Sequence, residues 1–287
     1  MKHHLCFRIV LLLMICNLVF NAQANAQKQT DYGNNPAAGH YILLNGAKHY
    51  YEVYGEGKPL LLIHGNSTPI RGWAPQIDFF SRKYKVYAID CRGRGKSELG
   101  KDSLTYIQQA KDMAQFIEKL GLDSVTVIGK SDGGIIALLM GIYYPAHLKR
   151  LVAYSANMSP DTSAVYPETA KDAHDKRVEA DGMLVRKDTS KNWLVEQQRY
   201  RMMEYQPHVT AGDLQKISVP VLVMSNDRDV IREEHTFFIY RNIPKANLCI
   251  LPNQQHGLPR LNPQLFNSMV EAYLETDFKE YPYRFEK

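Results

Sequence analysis

The fold of this chain follows from residues 125–134, which read VTVIGKSDGG. A β-branched run enters a turn around Ser131, and an apolar pattern with helical spacing leaves that turn. A strand, a sharp turn carrying a serine, and a helix are typical of a nucleophile elbow, which exposes the serine oxygen beside the helix N-terminus. Gly129 and Gly133 are expected to let the strand and the helix approach closely, because glycine has no Cβ atom.

The composition is that of a globular protein with a buried core. The 287 residues are 45% hydrophobic and 23% charged, which fits one large domain, with or without an insertion. The formal net charge is only +5, and the basic residues are not gathered in one block. Nucleic acid is therefore not expected as a partner.

The first 26 residues have the three parts of a secretory signal peptide. Lys2 and Arg8 are basic, residues 9–20 are almost all apolar, and small residues offer cleavage after Ala24 or Ala26. An apolar run of this length is too short to cross a bilayer, which needs ~20 residues. We therefore expect a periplasmic or secreted protein with no stable membrane anchor after cleavage.

The cysteines indicate neither a disulfide nor a metal site. Cys6 and Cys16 lie in the signal peptide, so Cys91 and Cys249 remain in an oxidising compartment. Both are expected at strand ends that are far apart, which favours two free thiols. No paired-cysteine or His-Glu spacing typical of a metal site occurs, and no cofactor is expected.

Strands and helices are predicted to alternate along most of the chain. Asn45-Gly46 favours the type I′ turn of a hairpin at the start, and the later alternation favours a mostly parallel sheet covered by helices on both faces. The predicted strands are 40–44, 49–54, 60–63, 85–89, 124–128, 150–154, 221–224 and 247–251. The predicted helices are 73–80, 104–120, 134–144, 233–242 and 263–275.

Residues 159–213 interrupt that alternation. The segment is highly charged, has no clear strand, and contains scattered Met, Tyr and Trp residues. It is interpreted as a helical lid inserted into a core made of residues 27–158 and 214–287.

Four motifs in order resemble those of the α/β-hydrolase superfamily. They are LLIHGN at 61–66, DCRGRGKS at 90–97, the elbow at Ser131, and the pair VPVLVMSNDRD at 219–229 with PNQQHG at 252–257. The resemblance covers residues 40–280. It implies an eight-stranded, mostly parallel sheet with helices on both faces and a helical lid after strand 6.

The resemblance also implies catalytic roles, because the superfamily order of serine, acid and histidine is met. Ser131 would be the nucleophile, His256 the general base, and Asp229 the acid that orients the imidazole. Asp227 is the rival acid, two residues earlier. Asn226 stands where the family usually has glycine, which leaves the geometry of this turn open.

The oxyanion hole would be formed by the main-chain N–H groups of Asn66 and Asp132. His64 is interpreted as structural, packing and hydrogen-bonding beneath the oxyanion loop. The remaining polar residues of the second motif are interpreted as loop scaffolding rather than chemistry. They are Asp90, Arg92 and Ser97.

The elbow sequence GKSDGG looks like that of biphenyl hydrolase-like and valacyclovirase-like esterases. There the acid after the serine suggests recognition of a cationic group, and an unpaired Asp132 carboxylate would favour an ammonium. Lys130 complicates this, because it would either pair with Asp132 or attract an anionic substrate. As a further alternative, both side chains are solvated or bonded to local backbone groups and take no part in substrate recognition. Trp73 is a further candidate substrate contact, with core packing as the alternative.

The leading hypothesis is an exported serine hydrolase that cleaves a small carboxylic ester through an acyl-enzyme. An aminopeptidase, a lactonase or a C–C bond hydrolase would use the same triad. A binding protein on a degenerate hydrolase scaffold is less favoured, since all three triad residues are present. The oligomeric state is left open.

Overall fold

A computed structural model describes residues 30–279, and the elements below lie within residues 32–279. The predicted signal peptide, with Cys6 and Cys16, lies outside the described residues. Across residues 30–279, no helix combines the length and the apolar run that crossing a membrane requires. Cys91 and Cys249 are both free thiols, in agreement with the sequence analysis.

Every predicted strand is present, with shifts of at most two residues at the ends apart from an extension of four residues at the carboxyl ends of the last two strands. The strands are β1 (Gly39–Leu44), β2 (Ala47–Tyr54), β3 (Lys58–Ile63), β4 (Tyr84–Ile89), β5 (Val125–Lys130), β6 (Leu148–Tyr154), β7 (Val221–Arg228) and β8 (Ala246–Gln255).

Every predicted helix is also present. The helices are α1 (Ala74–Phe80), α2 (Tyr106–Lys119), α3 (Asp132–Tyr143), α4 (Pro167–Val185), α5 (Trp193–Tyr205), α6 (Ala211–Leu214), α7 (Glu233–Asn242), α8 (Leu258–Leu261) and α9 (Pro263–Glu275). A 3₁₀ turn, Ile70–Trp73, precedes α1.

The opening hairpin has the predicted turn. Leu44 pairs with Ala47, so only two residues form the loop. Asn45 and Gly46 have φ angles of 42° and 80°, the left-handed conformation that a type I′ turn requires at both positions.

The eight strands form one sheet in the order β1-β2-β4-β3-β5-β6-β7-β8. β1 and β2 pair antiparallel, β2 pairs antiparallel with β4, and all later pairs are parallel. The predicted α/β-hydrolase fold is thus present. Because β3, β5, β7 and β8 run in one direction, their carboxyl ends meet at one edge of the sheet, where ligands bind in open α/β folds.

Two apolar clusters cover the two faces of the sheet. One contains the buried residues of α2 and α3, and the other contains Ile77, Phe80, Phe266 and Val270 from α1 and α9. α3 is buried along nearly its whole length, which explains its continuous apolar sequence. The elbow is therefore fixed between a buried strand and a buried helix.

Residues 159–213, the helical insert, lie between β6 and β7. They contain α4, α5 and all of α6 except its last residue, Leu214. The insert's one contact of β type among the described residues is a bridge between Val165 and Ile231. The predicted helical, strand-free character of this segment agrees with the structure apart from that bridge.

Candidate active site

Ser131 occupies a strained turn between β5 and α3. Its backbone has φ 54° and ψ −119°, a conformation that residues other than glycine rarely adopt. The Ser131 N–H donates to the Tyr154 carbonyl oxygen at 2.8 Å, and the Ser131 hydroxyl makes no capping bond to α3. The hydroxyl is therefore left available on the pocket side of the turn.

The glycines of the elbow are required by close backbone contacts. A Cβ atom on Gly129 would lie 2.0 Å from the Gly133 carbonyl oxygen, and one on Gly133 would lie 2.0 Å from that of Ile63. Both approaches are too close for any side chain, so the predicted role of the two glycines is confirmed.

His256 and Asp229 form a hydrogen-bonded pair at the carboxyl edge of the sheet. The Nδ1 atom of His256 lies 2.7 Å from Oδ1 of Asp229. The histidine side chain is 28% exposed, whereas the carboxylate is fully buried. Because Nδ1 faces a carboxylate, it carries the proton, and Nε2 is left as the basic nitrogen.

The Asp229 carboxylate is held by several donors besides His256. The Ser155 hydroxyl donates at 2.5 Å, the Asn226 amide at 3.0 Å and the Val230 N–H at 2.7 Å. Burial alone would raise the pKa of Asp229, but the hydrogen bond and charge of His256, with these donors, hold that pKa below its ordinary value. The group is thus a fixed anion beneath the imidazole.

Asn226 fills the position that the family usually gives to glycine. Its amide nitrogen donates to the Tyr154 hydroxyl at 2.5 Å and to the Gln255 carbonyl at 3.0 Å, besides Asp229. The rival acid Asp227 makes no hydrogen bond to His256 in the described part of the chain, and its Oδ1 is buried without a partner. The structure therefore places Asp229, not Asp227, against the histidine.

Ser131 and His256 line one pocket of about 390 Å³, together with Asn66 and Asp132. Within residues 30–279, no hydrogen bond joins the Ser131 hydroxyl to His256. Catalytic hydrogen bonds often tighten only when substrate is bound, so the lack of this bond without substrate is compatible with proton transfer from Ser131 to His256.

The loop after β3 passes directly beside Ser131. A Cβ atom on Gly65 would lie 3.2 Å from the Ser131 Cβ atom. Asp132 is the first residue of α3, so its N–H has no partner in a preceding helical turn, and the Asn66 N–H donates to no acceptor among the described residues. Both N–H groups belong to pocket-lining residues.

His64 supports that loop from below. One ring nitrogen contacts the Gly65 carbonyl at 2.7 Å, and the other accepts from the Cys91 N–H at 2.9 Å. Burial lowers the pKa of His64 to about 3, so the ring is neutral. These contacts are those expected of a structural histidine.

The second motif forms a network of loop contacts, as interpreted from the sequence. Asp90 accepts from the Ile70 and Lys96 N–H groups, both at 2.9 Å. Arg92 is buried and donates to Asp112. The Ser97 hydroxyl donates to the Asp90 carbonyl at 2.6 Å.

The Asp132 carboxylate is paired inside the protein. It accepts from Arg94 at 3.1 Å and from the Tyr106 hydroxyl at 2.9 Å. Burial raises the pKa of Asp132, while the Arg94 charge opposes that shift. The ammonium-binding interpretation assumed an unpaired carboxylate, and that assumption is wrong because Arg94 already neutralises this group.

Lys130 does not pair with Asp132. Its side chain is partly buried and lines the pocket. Among the described residues, no carboxylate lies within ion-pair distance of its ammonium group. The alternative in which Lys130 pairs with Asp132 is therefore wrong.

Trp73 is a core residue, which is the second of the two alternatives that the sequence left open for it. Only 2% of the residue is exposed, and its ring packs 6.0 Å from that of Phe266. The adjacent Gly72 lines the pocket instead. The 3₁₀ turn points the indole inward, which a helical pattern alone does not reveal.

Sequence reasoning missed the arginines around Asn66. Arg199 of the insert donates to the Asn66 side-chain oxygen at 2.7 Å, and Arg94 reaches the same oxygen at 3.3 Å. The Asn66 amide nitrogen contacts the sulfur of Met203. Arg94 and Arg199 lie 28 and 133 residues from Asn66 in the sequence, so no local pattern reveals the cluster.

A family model described as the alpha/beta hydrolase fold matches residues 58–181. The match includes the first two motifs and the elbow, and it ends inside α4.

The chain is also similar to curated hydrolases over most of its length. It is 27% identical over 262 residues to the (E)-2-((N-methylformamido)methylene)succinate hydrolase of Acinetobacter baylyi, covering 81% of this chain and 95% of that protein. It is 25% identical over 252 residues to the human serine hydrolase BPHL, covering 82% and 85% respectively.

Among solved structures, an esterase from Exiguobacterium antarcticum superposes with a TM-score of 0.71 at 21% identity. The superposition covers 83% of this chain and all of the esterase. At this identity the likeness shows the shared fold.

Proposed function

The chain belongs to the α/β-hydrolase superfamily, and we propose that it is an exported serine hydrolase that cleaves a small carboxylic ester through an acyl-enzyme. One observation carries the proposal. His256, paired with Asp229, lines the same pocket as Ser131. Ser131 sits on a strained turn beside the N–H groups of Asn66 and Asp132, which donate to no acceptor among the described residues. The names of the two curated relatives agree on hydrolysis, and only that of the Acinetobacter baylyi protein states the compound hydrolysed.

Acylation begins with attack of the Ser131 oxygen on the ester carbonyl carbon, while His256 Nε2 takes the hydroxyl proton. The oxyanion of the tetrahedral intermediate accepts hydrogen bonds from the Asn66 and Asp132 N–H groups. The intermediate then collapses as the carbon–alkoxy bond breaks. His256 donates its proton to the leaving alcohol, and the acyl group stays on Ser131.

Deacylation repeats these steps with water as the nucleophile. His256 takes a proton from water, and the new oxyanion accepts hydrogen bonds from the same two N–H groups. The Ser131–acyl bond then breaks. The serine recovers its proton, and the carboxylic acid leaves. Asp229 keeps Nδ1 protonated throughout and stabilises the imidazolium that forms in each half-reaction.

The pocket favours a small substrate. Its volume of about 390 Å³ lies near the lower end of the range for ligand sites, ~300–1,000 Å³. The helical insert contributes Val165, Tyr200 and Met203 to its lining. We assign this segment the role of a lid over a core of residues 27–158 and 214–287.

Export is the second part of the proposal and rests on the pattern of residues 1–26. Mass spectrometry of the protein recovered from a bacterial periplasm or culture medium is expected to give a chain that starts at Asn25 or Gln27. A chain that keeps Met1 in that fraction would contradict cleavage.

Active-site labelling tests the nucleophile. A fluorophosphonate is expected to label the wild type at Ser131 and to leave Ser131→Ala unlabelled, with parallel loss of p-nitrophenyl acetate turnover. Ser190→Ala changes an exposed serine in the turn after α4 and serves as the matched control. Undiminished labelling of Ser131→Ala would overturn the proposal.

The bond type needs a substrate panel, because the same nucleophile and oxyanion hole also serve amides, lactones and C–C bonds. Simple esters are expected to give the highest kcat/KM when compared with matched amino-acid amides and lactones. Stoichiometric ligand binding without turnover across the panel would point instead to a binding protein.

A further inference from the structure

The acidic side chains that line the pocket are already paired with cations of the protein. Asp132 is paired with Arg94 at 3.1 Å, and both side chains are almost fully buried. Asp172 is paired with Lys176 at 2.7 Å on the exposed side of α4. Neither carboxylate is left to attract a cationic substrate.

The other acids at this edge are also paired. Glu204 contacts Arg177 and lies 2.8 Å from the His174 ring. Asp229, beneath the pocket, is paired with His256 at 2.7 Å. Across the described residues, the pocket therefore presents no carboxylate without a basic partner.

Two cations at the pocket have no such partner. Lys130 is the last residue of β5, directly before Ser131, and Arg260 lies in α8, four residues after His256. Both line the pocket, and neither forms an ion pair within the part of the chain that the structure describes. Lys130 is partly buried, whereas Arg260 is exposed.

The two cations are close enough to repel each other. Burial lowers the pKa of Lys130, the Arg260 charge lowers it further, and the Asp229 charge acts in the opposite direction. An anion bound beside the two cations would relieve both the repulsion and the cost of burial. The nearby charge of Asp229 disfavours a dianion, and the planar guanidinium fork matches a carboxylate.

We propose that Lys130 and Arg260 bind a carboxylate of the substrate, so that the ester cleaved at Ser131 carries a second, free carboxylate group. This inference rests on the proposed function and narrows its substrate class to monoanionic esters. Lys130 and Arg260 are specificity residues, and they take no part in the bond-breaking steps.

Matched esters test the substrate class. Monomethyl glutarate and methyl pentanoate differ by a carboxylate on the acyl side, and 3-acetoxypropanoate and propyl acetate differ by one on the alcohol side. In at least one pair the anionic ester is expected to have a kcat/KM about 10–100-fold higher, the size of a charge-assisted hydrogen bond. A preference for the neutral ester in both pairs, or equal values, would overturn the inference.

Variants assign any preference to the two residues. Lys130→Gln and Arg260→Gln are each expected to lower the anionic-to-neutral ratio about 10-fold, and Lys130→Arg should retain most of it because the charge is kept. Lys149→Gln is the matched control, since Lys149 is exposed at the amino end of β6, on the opposite edge of the sheet. A ratio that is unchanged in both Gln variants would contradict the assignment.

A binding measurement separates this inference from the proposed function. Titration calorimetry of Ser131→Ala with monomethyl glutarate and with 3-acetoxypropanoate is expected to show binding of the preferred ester, which is lost in Ser131→Ala/Lys130→Gln. Binding without turnover in the wild type would support the carboxylate site and overturn the hydrolase proposal. Fluorophosphonate labelling of Ser131 with no binding of either anionic ester would support the hydrolase proposal and overturn the carboxylate site.

Discussion

The Nε atom of Arg199 donates a hydrogen bond of 2.7 Å to the side-chain oxygen of Asn66. Arg199 lies on α5 of the helical insert, whereas Asn66 lies on the loop that follows β3. Burial lowers the pKa of Arg199, and the charge of Arg94 adds to that effect, since both arginines donate to the same oxygen. The insert thereby fixes the residue whose N–H is the proposed oxyanion donor.

Replacement of Arg199 by methionine is expected to lower kcat for a simple ester about 10-fold. The Asn66 N–H would stay in place but lose orientation, so the loss should stay below the ~10²–10³-fold that follows removal of a whole oxyanion donor. Arg201→Gln is the control, because Arg201 is exposed on the same helix. Equal kcat values for the two variants would mean that the hydrogen bond does not position the loop.

Asp229→Asn is expected to lower kcat about 10⁴-fold, the typical effect of forcing the wrong imidazole tautomer. An amide group can donate to Nδ1, which would move the ring proton to Nε2 and block its action as base. Asp227→Asn is a matched control two residues away and should keep most activity, because Asp227 makes no hydrogen bond to His256 within the described chain. Steady-state kinetics at neutral pH measures kcat for both variants. A larger loss of kcat in Asp227→Asn than in Asp229→Asn would make Asp227 the acid of the triad.

Trp73→Ala is expected to destabilise the protein by about 3–5 kcal/mol, the range for removal of a large buried aromatic side chain. KM should stay near the wild-type value at temperatures where the variant is folded, because the indole packs against Phe266 and away from the pocket. Urea denaturation gives the free energy of unfolding, with exposed Leu43→Ala as a control near zero. A rise in KM with full stability would restore Trp73 to the pocket.

The strands, the opening hairpin and the elbow around Ser131 could be predicted because they depend on local patterns, whereas the roles of Asp229 and His256 came from the resemblance of their motifs to the superfamily. Apolar runs, turn residues and glycines predict the secondary structure of the few residues around them. The eight strands and the type I′ turn at Asn45-Gly46 were found for that reason.

The pairing of charges could not be predicted, because it depends on side chains far apart in sequence. The sequence suggested an unpaired Asp132 carboxylate that could bind an ammonium group, but Arg94, 38 residues earlier, donates a hydrogen bond to that carboxylate. Asn226 stands where the family usually has glycine, which left the geometry of the turn open. Its amide nitrogen donates both to Asp229 and to the Gln255 carbonyl beside His256. Single residues in the sequence carry no signal for such contacts.

His235 should make stability fall in mild acid. It is buried, accepts a hydrogen bond from the Met158 N–H at 2.8 Å, and burial lowers its pKa from 6.5 to about 4, with the Asp161 charge acting the other way. Between pH 6.5 and 4 the unfolded chain therefore binds more protons than the folded one, so the free energy of unfolding should decrease by about 3 kcal/mol as pH falls through this window. His235→Gln keeps an acceptor for Met158 without titrating, and urea denaturation should show a flatter pH dependence for it. Parallel curves for wild type and variant would show that His235 contributes nothing to the acid sensitivity.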